Sequence, residues 1–111
     1  MLPDRSADTP FASVAGQLPM GFFMDRADRL KRLRFRAWHR GTREADLLIG
    51  GFFDRYSGGW GEAEIEWFET LIEEQDVDIM AWAIGTAEPP ERYQGSMIRD
   101  LKTLNYIKHP E

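Results

Sequence analysis

The sequence predicts an all-α protein: a compact five-helix bundle preceded by a flexible N-terminal extension. Three observations carry that prediction. From Asp25 onward, apolar residues recur at three- and four-residue spacing, the pattern of helices that bury one face. No stretch alternates apolar and polar residues over a useful length, so no sheet is expected. Glycine and proline then divide the chain into short helical segments joined by short loops.

Residues 1–24 hold three of the six prolines together with Ser, Thr, Asp and Gly, and show no helical period. They are expected to form a flexible extension ahead of a single helical domain over 25–111. Their apolar residues never run uninterrupted behind a basic start, unlike a secretory signal, and Asp4 and Asp8 against the lone Arg5 oppose a mitochondrial presequence. Met20 and Met24 offer alternative starts that would remove the extension, and the intact mass of the native protein distinguishes them.

Asp25 is placed to cap a first helix over 26–39, with Leu30, Leu33, Ala37 and Trp38 on its apolar face. Gly41 interrupts it, and Thr42 caps a second helix carrying Ala45, Leu48, Ile49, Phe52 and Tyr56. Gly50-Gly51 inside that helix costs about 1 kcal/mol per glycine against Ala, which predicts close approach by a neighbouring helix or a kink. Ser57-Gly58-Gly59 reads as a turn. Gly61 and Glu64 then take the N-cap and N3 positions of a third helix over 62–75, with Trp60 and Ile65 as a hydrophobic staple. Ile65, Phe68, Leu71 and Ile72 form its apolar stripe. Asp76 is expected to cap a fourth helix bearing Ile79, Trp82 and Ala83, ended by Gly85. After Pro89-Pro90 the spacing of Tyr93, Met97, Leu101 and Leu104 predicts a fifth helix over 91–107.

At 111 residues, 42% apolar and 30% charged, the chain suits one folded domain rather than a two-domain enzyme. The absence of cysteine excludes disulfides, thiolate metal sites and cysteine nucleophiles. No run approaches the roughly 18–20 apolar residues of a membrane span, so no membrane insertion is expected. The net charge of −5 conceals a division. Asp25 to Arg43 carries eight basic and two acidic residues, whereas Glu44 to Glu91 carries thirteen acidic and one basic. Two explanations stand: a partner-facing surface, or mutual neutralisation once folded.

Little in the chain reads as catalytic. Glu62, Glu66, Glu69, Glu73 and Glu74 lie largely on the outer face of the third helix, where hydrated carboxylates stay ionised and lack the raised pKa of a general acid. His39 has no companion ligand and reads as a helix-terminal cation, as does Arg40. Neither glycine cluster follows a strand or precedes a P-loop lysine, and there is no dinucleotide fingerprint. The basic first helix fits nucleic acid by charge alone, but the acidic remainder opposes a polyanion, so no nucleic-acid partner is expected. The informative feature is the corner between the first two helices. There Arg40, Gly41, Arg43, Glu44 and Asp46 crowd together, with guanidinium groups suited to carboxylate, carbonyl or phosphate recognition. Glu44 and Asp46 also fall where a helix dipole favours negative charge.

Arg40-Gly41-Thr42-Arg43-Glu44 matches the R-G-x-x-E signature of the small succinate dehydrogenase assembly factors, the bacterial flavinylation factor SdhE and its mitochondrial relatives, succinate dehydrogenase assembly factor 2. The likeness covers roughly residues 28–107. Leu30 to Trp38 resembles the family's basic first helix and Glu44 to Leu48 the segment after its signature. Phe68 to Glu73 and Asp76 to Trp82 resemble its third and fourth helices. The resemblance implies a five-helix chaperone, not an enzyme. Such a protein binds the flavoprotein subunit of succinate dehydrogenase or fumarate reductase and promotes covalent attachment of FAD to it. FAD is then the client's cofactor, and Arg40, Gly41 and Glu44, with Arg43 and Asp46 beside them, form the partner-binding set. The location implied is cytoplasmic in a bacterium and the mitochondrial matrix in a eukaryote. An antitoxin-like binding partner and a small nucleic-acid-binding helical domain are the alternatives.

Overall fold

The computed structural model describes residues 25–107, and the expectations for the N-terminal extension lie outside them. Five α-helices follow one another: α1 (Arg26–Trp38), α2 (Arg43–Tyr56), α3 (Glu62–Leu71), α4 (Asp76–Ile84) and α5 (Ser96–Thr103). Short 3-10 turns occupy Ser57–Gly59 and Glu91–Tyr93. The all-α expectation and the order of the five helices hold.

The local signals act largely as expected. The Asp25 carboxylate accepts the Asp28 N–H at 2.9 Å, the Thr42 hydroxyl oxygen accepts the Ala45 N–H at 3.2 Å, and Gly85 ends α4 at φ +99°. Glu64 accepts the Gly61 N–H at 2.8 Å, the reciprocal half of a capping box that needs no side chain at Gly61. The core gathers around Phe52, which is fully buried and meets the rings of Tyr56, Trp60, Trp67, Phe68 and Tyr106 at centroid distances of 5.2–6.3 Å. Ile65, Phe68, Leu71 and Ile72 are buried as their spacing predicts, as are Ile79, Trp82 and Ala83. The doubled glycine of α2 is a site of close approach. A Cβ on Gly50 would stand 2.3–2.7 Å from ring atoms of Trp38, and one on Gly51 would stand 3.1 Å from the Tyr106 carbonyl oxygen.

Two expectations need correction. The fifth helix does not run over 91–107. Gly95 has φ +136°, which no helix accommodates, so the segment divides into the Glu91–Tyr93 turn and α5, and Leu104 at φ 56° ends α5 early. Tyr93 reaches the core from the 3-10 turn at nearly the spacing a continuous helix would give, and the periodicity therefore bridged the break. Asp76 is also not the cap of α4. Gln75 holds that position, and the Asp76 carboxylate is used elsewhere.

Candidate functional site

The corner between α1 and α2 separates its residues by direction. α1 ends at His39, whose N–H donates to the Arg36 carbonyl, and Gly41 turns the chain at φ +118°. That conformation strongly favours glycine. No atom lies within 4 Å of a Cβ built there, so glycine is required by the backbone and not by an internal neighbour. The Arg40 N–H donates to Asp46 Oδ1 at 2.6 Å, tying the corner to the first turn of α2.

The Arg40 side chain turns inward and is only 10% exposed. Its Nε and Nη2 lie 2.8 and 2.7 Å from Asp76 Oδ1, and Nη2 also donates to the carbonyls of Ile72 at 3.0 Å and Glu74 at 3.4 Å. Ile72 closes α3, so Arg40 satisfies carbonyl groups that the end of a helix leaves without partners. The exposed guanidinium expected at this corner is therefore supplied by Arg43 and not by Arg40. Nor do Arg40 and Glu44 pair with each other to fix the corner, since the cation is taken by Asp76. Gly41, Thr42, Arg43 and Glu44 all face solvent. Neither Arg43 nor Glu44 forms an ion pair among the described residues. Asp46 is half-buried.

A groove of about 540 Å³, open to solvent, adjoins the corner between the end of α1 and the α3–α4 turn. Its lining is mostly charged or polar, from Arg36, His39, Arg40, Glu73, Glu74, Gln75 and Asp76, with Phe35, Ile72 and Val77 as its apolar members. Residue spacing carries no sign of it, because its walls come from segments more than thirty residues apart. Asp76 as the partner of Arg40 was hidden for the same reason. A second groove of about 500 Å³, lined by Trp38, Leu47, Gly51, Asp54, Tyr106 and others, includes none of the signature residues.

Two carboxylates of α3 and one in the turn after it are engaged by the basic helix. Arg29 meets Glu62 at 2.8 Å and Glu69 at 2.9 Å, and Arg36 meets Glu73 at 2.8 Å. Arg29 holds the Glu62 carboxyl below the usual carboxylate range, while Glu62 one turn away raises that of Glu66. Part of the charge division is thus neutralised between α1 and the α3 segment. Among the described residues, no group of three or more His, Asp or Glu is arranged to hold a metal ion, and no helix is long and apolar enough to cross a membrane.

The corner thus fixes one signature residue inward and leaves the next four facing solvent on a small helical scaffold. A family model described as flavinator of succinate dehydrogenase matches residues 31–105. The chain is 38% identical over 75 residues to the FAD assembly factor SdhE of Acetobacter pasteurianus, covering 68% of this chain and 69% of that protein. It is 33% identical over 72 residues to the mitochondrial succinate dehydrogenase assembly factor 2 of Schizosaccharomyces japonicus, covering 64% of this chain and 50% of that one. Against the Danio rerio protein of the same description it is 31% identical over 102 residues, covering 86% and 64%. The chain spans about half the length of the fungal relatives it matches. It belongs to the succinate dehydrogenase flavinator family, whose members are non-catalytic helpers of flavinylation.

Proposed function

We propose that this protein binds the flavoprotein subunit of succinate dehydrogenase, or of fumarate reductase, and promotes covalent FAD attachment through the exposed Gly41–Glu44 face. The observation that carries this reading is the division of the signature within the family-matched region. Arg40 and Asp46 are held internally, while Arg43 and Glu44 stand exposed. Arg43 and Glu44 make the polar contacts to the client, and Gly41 presents open backbone beside them. Arg40 and Asp46 fix the corner from which these groups project. Bond formation belongs to the flavin and the client, with FAD as the client's cofactor. The helper acts by binding the flavinylation-competent client conformation better than others, which raises its population. The location is wherever that flavoprotein is assembled, the cytoplasm of a bacterium or the mitochondrial matrix of a eukaryote.

The test is in-gel flavin fluorescence of the flavoprotein produced with this protein, without it, and with the Glu44→Ala variant. Fluorescence should require the wild-type chain and fall with Glu44→Ala. Equal fluorescence in all three samples would overturn the proposal.

A further inference from the structure

We infer that the groove walled by Trp38, Leu47 and Tyr106 receives a segment of the flavoprotein client in which a large apolar side chain stands beside a carboxylate. The inference rests on the proposed client but not on the Gly41–Glu44 face, since this groove includes none of the signature residues. At about 500 Å³ it is framed chiefly by apolar groups, the side chains of Trp38, Leu47, Tyr106 and Ile107 over the bare backbone of Gly51. Three separate parts of the chain supply them: the end of α1, the first half of α2 and the segment after α5. Trp, Tyr and Arg are the residue types that dominate binding energy at protein interfaces, and all three line this groove.

The aromatic walls are fixed before anything binds. Trp38 lies against Gly50 and donates its indole N–H to Asp54 Oδ2 at 3.2 Å. The Tyr106 hydroxyl donates to the Leu101 carbonyl at 2.6 Å, and its ring meets Phe52 edge-on at a centroid distance of 5.5 Å. A strained turn delivers Tyr106 to this place. Leu104 ends α5 at φ 56°, a left-handed conformation that costs a residue other than glycine about 1–2 kcal/mol. Walls already held in one arrangement lose little freedom on binding.

The polar rim specifies what stands beside the docked side chain. Asp54 is engaged by Arg34 at 3.1 Å and by Trp38. Arg55 forms no ion pair among the described residues. Its guanidinium lies over the Tyr56 ring, 5.3 Å from the centroid, a contact with the aromatic face that leaves N–H donors for a carboxylate. Asn105 accepts the Tyr56 hydroxyl through Oδ1 at 3.2 Å, so its amide N–H groups are the part left to donate. A cation and an amide donor at the rim of an apolar groove complement an Asp or Glu next to an apolar residue.

The same chemistry weighs against a second copy of this chain as the occupant. Of the large apolar side chains exposed among the described residues, Phe35 stands between Arg34 and Arg36, and Ile84 between Ala83 and Gly85. Val77, between Asp76 and Asp78, is the one that fits. Seating Val77 of one copy in the groove of the next is a head-to-tail contact, which builds open fibres unless its rotation happens to close a ring. A flavinator of succinate dehydrogenase, in contrast, works on another protein.

The experiment measures the affinity for purified flavoprotein, by titration calorimetry, of the wild type, Leu47→Ser, Arg55→Glu, Arg99→Glu and Glu44→Ala, each confirmed as folded by its thermal melt. Leu47→Ser should weaken binding roughly tenfold, as the loss of a central apolar contact does. Arg55→Glu should weaken it by a similar factor at low salt, and the loss should shrink as salt rises. Arg99→Glu, the same change of charge at an exposed position outside the groove, should bind as wild type. If both groove variants bind as wild type and Glu44→Ala does not, the groove proposal is overturned and the corner reading stands. If the groove variants weaken binding and Glu44→Ala does not, the corner reading is the one overturned. A wild type that fails to bind the flavoprotein overturns the client itself. Photocrosslinking from a benzoylphenylalanine placed at position 47 identifies the occupant directly. Attachment to an apolar residue of the flavoprotein beside an Asp or Glu is expected, whereas attachment to residues 1–24 or to Val77 of a second copy would overturn the assignment.

Discussion

Arg40 caps α3 from another part of the chain, and this gives the signature two kinds of member. Removing its counter-ion in Asp76→Ala leaves a largely buried guanidinium with carbonyl partners only. The expected cost is about 2 kcal/mol, read as a lower urea midpoint at unchanged slope. Glu44→Ala should behave in the opposite way. Its side chain is exposed and unpaired among the described residues, so stability should stay within about 0.5 kcal/mol of wild type while flavinylation of the client falls. An equal loss of stability in the two variants would contradict this division. Gly41 belongs with Arg40 for a different reason. At φ +118° any side chain strains the backbone, so Gly41→Ala should cost on the order of 1–2 kcal/mol although nothing crowds the site. A Gly41→Arg variant therefore tests folding and docking together, and Glu44→Ala tests docking alone.

At the level of elements, the doubled glycine of α2 shows why helix propensity is a weak guide beside packing. Trp38 lies flat against Gly50, and its indole N–H donates to Asp54 Oδ2 at 3.2 Å, which holds the ring in place. Gly50→Ala should gain about 1 kcal/mol of helix propensity. It forces the α1–α2 contact apart, however, and the net expectation is a loss of about 1–3 kcal/mol. Gly58→Ala, with open space around its Cβ, should be close to neutral in the same thermal melts. A stabilised Gly50→Ala would show that the two helices are not held at this distance. Here the sequence was legible, because two consecutive glycines in a strongly periodic segment are costly without a close neighbour. The stripes of α3 and α4 were legible too, from period alone. The break at Gly95 was not, since Tyr93 and Met97 keep a helical spacing across it. The Arg40–Asp76 pair was equally hidden, since local propensity carries no information about which carboxylate a folded chain brings to an arginine thirty-six positions away. The site was thus readable as a corner but not in the direction each side chain takes.

For the molecule as a whole, the basic and acidic stretches meet as α1 against α3, through pairs that are mostly exposed and so contribute modestly each. The best-defined pH dependence lies instead where α3 and the turn before α5 are joined. Tyr93 donates its hydroxyl to Glu74 Oε2 at 2.6 Å, and Arg92 Nη2 reaches the same oxygen at 2.6 Å. The Trp67 indole N–H donates to the Tyr93 carbonyl at 3.2 Å, so the turn is held to α3 at both ends of the tyrosine. The Tyr93 hydroxyl, followed by Arg92, holds the Glu74 carboxyl below its ordinary range, and burial together with Glu74 pushes the Tyr93 hydroxyl up. A carboxyl with a depressed folded-state pKa binds fewer protons folded than unfolded near its titration. Its stabilisation is therefore complete above the unfolded value of about 4.3 and disappears as pH falls through the folded value. Glu74→Gln should be less stable than wild type at about pH 7, and the difference should narrow on acidification below about pH 4.5 as the wild-type carboxyl takes up its proton. Urea unfolding of both proteins across that range measures the difference directly and cancels the titration of the other carboxylates. A gap that stayed constant with pH would mean that the Glu74 charge does not hold the turn, leaving the join between α3 and the pre-α5 segment to Tyr93 and Trp67 packing alone.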